Sequence, residues 1–181
     1  MSKALLERNQ QQTPLMTVIN HPTIKFAQAL DQLKEEHDLL RTKLQEFVVI
    51  DEIIRAGKPN TDWYGTLRNL KTRVEAFMVL LSRHAEWEDD ALFPTVSLYA
   101  EENAKVIDVL EEDHRLAVQY LQAFLEELRR SVSPITQHRA VRIIELLMNA
   151  HRLLVDHLGA EERHIYPIAE EILEDIDYLS C

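Results

Sequence analysis

HAEWEDDALFP occupies residues 84–94, and HLGAEERHIYP occupies residues 157–167, 73 positions further along the chain. Both read His, three residues, Glu, an acidic residue, two more, an apolar residue, an aromatic and Pro. The repetition reaches beyond these stretches. His37 is followed by LQEF at 44–47, and His114 by LQAF at 121–124, at the same offset. The chain therefore reads as one helical hairpin written twice, each copy giving a lone His and then a His-x-x-x-Glu pair. Residues four apart on a helix share a face, so each pair presents an imidazole and a carboxylate to one region of space.

Outward from the repeats, AGKPNTD (56–62) and SVSPIT (131–136) interrupt the chain, and Pro94 is expected to end the second of four long segments. Within each segment apolar residues recur at spacings of three and four, the pattern of a helix with one buried stripe. The stripes include Leu33, His37, Leu40 and Leu44; Phe77, Leu81, His84 and Glu88; Leu110, His114, Ala117 and Leu121; and Leu154, His157, Glu161 and His164. Ser133 and Pro134 read as the N-cap and first-turn pair of the fourth helix. Short connections between such helices predict an all-α protein, an antiparallel up-down-up-down four-helix bundle. Residues 168–180 could add a short acidic terminal helix. Residues 1–20 are expected to form a loosely ordered N-terminal arm ahead of a single domain over 21–181.

Composition agrees and excludes several classes. A chain of 181 residues suits one domain with a substantial core. Three Gly and six Pro are too few turn residues for an all-β fold. The longest apolar runs fall short of the ~18 residues of a membrane span. The first twenty residues are too polar for a secretory signal, and a single cysteine, Cys181, leaves no internal disulfide or multi-Cys cluster. A cytoplasmic setting is expected. A net charge of −11 without a Lys/Arg cluster makes nucleic acid and anionic membrane poor partners.

The stripes contain intruders. Four His and two Glu occupy positions that otherwise hold Leu, Phe, Ile, Val and Ala, and a buried carboxylate is costly unless paired or ligated. One such His is ordinarily a hydrogen-bonded core residue; six polar residues shared among four helices point to a metal. His37 and His84 stand roughly 30–35 Å from the first interruption at 1.5 Å per residue, and His114 and His157 are level to within about two turns. Six donors exceed the needs of a tetrahedral zinc site and suit a dinuclear iron or manganese centre with bridging carboxylates. The ferritin-like spacing Glu-x-x-His occurs at Glu111/His114 and Glu161/His164, but the other copy has Lys34/His37 and Glu88/Ala91, so it fails as a repeat.

The order His, His-x-x-x-Glu, His, His-x-x-x-Glu, with LFP and IYP closing helices two and four, resembles the hemerythrin-like (HHE cation-binding) family over roughly residues 21–168. The resemblance implies a non-haem di-iron centre inside the bundle. Its metal ligands would be His37, His84, Glu88, His114, His157 and Glu161, with two iron ions as cofactor and manganese or zinc as substitutes. It implies small-molecule partners such as O2, NO or peroxide in oxidative or nitrosative stress, an unidentified redox partner, and room for a homodimer. An iron donor or store, and an interaction bundle stapled by metal, are the competing readings. Oxygen-carrying hemerythrins place a His four residues beyond the third-helix His and an Asp five beyond the fourth-helix His; Val118 and Glu162 stand there. Two octahedral irons offer about twelve positions, of which the six residues and a solvent-derived bridge fill about ten. That leaves room for an exogenous ligand and implies reactivity or sensing rather than simple carriage.

Around the six, His164 and Glu162 are candidates to support ligands from behind. Trp87, Phe93, Tyr120 and Tyr166 could tune or shield the centre, with aromatic packing the ordinary alternative. His21, His138 and His151 are read as solvated or structural.

Overall fold

The computed structural model describes residues 22–179. The expected arm over residues 1–20 lies outside them. The elements are α1 (Pro22–Ala56), α2 (Trp63–Trp87), a π-helical turn (Glu88–Leu92), α3 (Phe93–Tyr99), a 3-10 turn (Glu101–Asn103), α4 (Ala104–Arg130), α5 (Gln137–His164) and α6 (Tyr166–Leu179). There is no strand among the described residues. The four long helices α1, α2, α4 and α5 pack as an all-α bundle, and α6 is the short acidic helix expected near the C-terminus.

Local chemistry sets the starts. Asp62 caps α2 by accepting from the Gly65 N–H at 2.9 Å. The fourth long helix departs from expectation, because Ser133 and Pro134 lie in the connection and α5 opens at Gln137. Thr136 is the cap instead: its extended backbone lets the side-chain oxygen accept from the Arg139 N–H at 3.2 Å. The Gln137 amide donates to the carbonyls of Ile54 and Arg55, at 2.9 and 3.1 Å, satisfying carbonyls that α1 leaves open at its end. Gly57 turns the chain there at φ 60, where a Cβ would also strike the Gln137 side chain.

Pro94 does not end the helical run. The α-helix gives way to the π turn at Glu88, and Pro94 falls in the first turn of α3, where its missing N–H costs nothing. Pro167 takes the same place in α6. LFP and IYP thus open new helices.

The apolar interior forms two clusters. One includes Leu40, Leu81, Ala117 and Leu154; the other includes Leu33, Leu92, Leu110 and Ile165. Each long helix passes from one cluster to the other, α1 and α4 in one order and α2 and α5 in the reverse. The crossing points are His37, His84–Glu88, His114 and His157–Glu161. A single polar layer therefore divides the core.

Candidate metal centre

Helix phase delivers all six residues to that layer. His37 comes from α1, His84 from α2, Glu88 from the start of the π turn, His114 from α4, and His157 and Glu161 from α5. His114 is 5% exposed and the other five are 0–1% exposed. The donors divide into two groups, His37, His84, Glu88, Glu161 and Glu88, His114, His157, Glu161, each with donor atoms within 4.8 Å of one another. Both carboxylates belong to both groups. Glu88 reaches His84 Nε2 with Oε1 and His114 Nε2 with Oε2, each at 3.2 Å. Glu161 Oε2 lies 3.2 Å from His37 Nε2 and 3.5 Å from His157 Nε2.

All four imidazoles turn Nε2 inward and offer Nδ1 to a carboxylate behind. Nδ1 of His84 faces Glu36 at 3.4 Å, and that of His157 faces Asp113 at 3.8 Å. Nδ1 of His37 faces Glu162 at 3.3 Å, and that of His114 faces Asp89 at 3.5 Å. These four Nδ1 contacts fall into two equivalent pairs, one member from each half. A carboxylate behind Nδ1 favours the tautomer that leaves Nε2 free to face the centre.

A metal fits the unmet needs of this layer. Both side-chain oxygens of Glu88 and Glu161, and the inward-facing Nε2 of His84, His114 and His157, are buried without a hydrogen bond. Buried polar atoms are seldom left so, and a cation would satisfy them. Electrostatics within the layer are strained in the same sense. Burial would lower His37, but the neighbouring carboxylates of Glu161 and Glu88 outweigh it and raise its pKa to about 9. Burial pulls His84 down to about 4. Burial and the charge of Glu88 push Glu161 up, whereas the imidazoles of His114 and His37 overcome burial and hold Glu88 below the usual carboxylate range.

The surrounding residues sort unevenly. Glu162 bridges the His37 ring to Arg41, whose Nη1 donates to it at 2.6 Å. His164 does not reach the layer; it is exposed at the last position of α5. Ile165, four residues beyond Glu161 and still bonded through its N–H to the Glu161 carbonyl, is buried and continues the stripe in place of His164. Phe93 stacks on His114, and Trp87 packs on Phe26. Tyr120 packs against the cluster that contains Leu40. The Tyr166 hydroxyl, by contrast, stands 2.7 Å from His37 Nε2. Glu36 and Asp113 went unassigned in the sequence, although both immediately precede the lone His of their copy. A surface groove of about 460 Å³, lined by Ser82, Asp89, Val118 and Gln119, reaches the site at His114.

The geometry defines a class: a buried histidine–carboxylate metal centre inside a helical bundle. The chain belongs to the hemerythrin HHE cation-binding domain family, whose model matches residues 28–169. No curated protein and no solved structure matches it. Among the described residues, no helix is long and apolar enough to cross a membrane.

Proposed function

We propose that His37 and His84 hold one iron, that His114 and His157 hold a second, and that Glu88 and Glu161 are ligands to both. The observation that carries this reading is the division of the donors into two groups sharing both carboxylates. The protein then binds, senses or processes O2, NO or peroxide, in oxidative or nitrosative stress. Iron would supply a change of oxidation state and coordination positions that the protein leaves free. Glu36, Asp113, Glu162 and Asp89 hold the imidazoles in register. The two apolar clusters exclude bulk water from either side, and the groove at His114 gives a small molecule its approach. Deep burial of five ligands speaks against a readily donated metal, and the extent of apolar core speaks against metal as a mere staple.

The deciding experiment is metal analysis of iron-loaded protein, with optical spectra before and after O2, azide and NO. The expected result is about two irons per chain and a ligand-to-iron absorption that azide or NO perturbs. One zinc per chain and a spectrum indifferent to all three would defeat the reading.

A further inference from the structure

Tyr166 opens α6 at the position that Phe93 holds at the start of α3, 73 residues earlier in the other copy of the repeat. Both rings lie against an imidazole of the layer. Phe93 and His114 have centroids 6.4 Å apart and planes at 17°, whereas Tyr166 and His37 have centroids 5.0 Å apart and planes at 37°. The chemical difference between the two is one oxygen. It stands 2.7 Å from His37 Nε2, the nitrogen that also has Glu161 Oε2 at 3.2 Å. Two donors at right angles on one ion, each about 2.1 Å from it, lie about 3 Å apart. Phenol oxygen and carboxylate oxygen thus flank Nε2 at the spacing of neighbours in a coordination sphere.

A metal on Nε2 would replace the imidazole contact that the hydroxyl now makes. Tyr166 is 6% exposed, so water does not replace that partner freely. The same metal would offset the burial and the neighbouring carboxylates of Glu161 and Glu88 that disfavour a phenolate here, since a bound cation reverses the local preference for the uncharged acid. Tyrosine is an established protein ligand of iron.

We propose that Tyr166 is a phenolate ligand of the metal held by His37 and His84, which makes the two metal positions unlike. The iron–oxygen bond forms as the hydroxyl proton leaves to solvent, and no electron moves in that step. The position held by His114 and His157 has only the Phe93 ring in the corresponding place. It is the one that keeps a site for an exogenous small molecule, on the side the groove reaches. This rests on the two-metal reading above.

The test compares full-length wild type with Tyr166→Phe, both iron-loaded and oxidised in air, by metal count, visible absorption and resonance Raman. Wild type should show a phenolate-to-ferric charge-transfer band with tyrosine ring modes enhanced in the Raman spectrum. The variant should keep its iron and lose both signals. Iron-loaded wild type without the band, or a variant that retains it, overturns the proposal and leaves the metal site standing. Should the variant bind less iron, the ring modes of wild type decide alone. A wild type that takes up no iron overturns the two-metal reading and this assignment with it.

Discussion

Glu36, on α1, stands behind His84, on α2, with Oε2 3.4 Å from Nδ1. The contact links neighbouring helices through a ring whose other nitrogen faces the centre. Removing the carboxylate frees the imidazole to rotate or change tautomer without removing a ligand. Glu36→Ala is therefore expected to leave the fold intact and weaken metal affinity about 10–100-fold, measured by competition with a chelator of known affinity. Asp113→Ala should do the same through His157. Unchanged affinity in both variants would show that the rings are held by packing alone.

The equivalence of the two halves makes a stronger demand. His84→Ala and His157→Ala should resemble each other, each losing metal and destabilising the chain by about 3–5 kcal/mol through an uncompensated buried carboxylate. Iron per chain and denaturant midpoints provide the measurement. His138→Ala, at an exposed position near the start of α5, should change neither. A fully metallated His84→Ala protein would remove that residue from the ligand set.

Val118 lies four residues beyond His114 and lines the groove that reaches it. An imidazole there would point toward the same metal. Val118→His is expected to fill a free position and slow oxidation of the reduced centre by O2. Stopped-flow mixing of reduced protein with O2 gives the comparison. An equal oxidation rate in wild type and variant would mean that this position is not the open one.

Metal uptake should also move protons. With a pKa of about 9, the His37 ring is protonated near neutral pH in the metal-free chain, and a metal requires it neutral. Loading at about pH 7 should release at least one proton per chain, and affinity should rise with pH until about 9. An indicator dye in weak buffer reports the release. Affinity independent of pH between 6 and 9 would contradict a protonated His37.

The site was legible because its residues violate a pattern: polar side chains on apolar stripes, repeated in two copies, and all six arrive together. Tyr166 broke no pattern. An aromatic at that place packs as well as Phe93, and only the fold brings its hydroxyl to His37. His164 was misplaced because, of the two residues three and four beyond Glu161, Ile165 takes the buried place and His164 is left exposed. The π turn after Glu88 has no Gly or Pro at its start to announce it, so Pro94 looked like a terminator when it begins α3. Thr136 lost the cap to Ser133 in sequence because Ser-Pro is the more familiar opening; backbone conformation at Thr136 decides otherwise.

The exchange of carboxylates has a bearing on ancestry. Asp89 of the first copy supports His114 of the second, and Glu162 of the second supports His37 of the first. A lone hairpin would hold two imidazoles, one of them without its support, until it met another hairpin. The chain is in this sense a dimer whose subunits have been joined end to end. Two identical subunits about a true axis must carry the same residue at equivalent places, and no mutation can alter one without the other. Joining them lifts that obligation, and Phe93 and Tyr166 are one place where the two halves have diverged beside the buried layer.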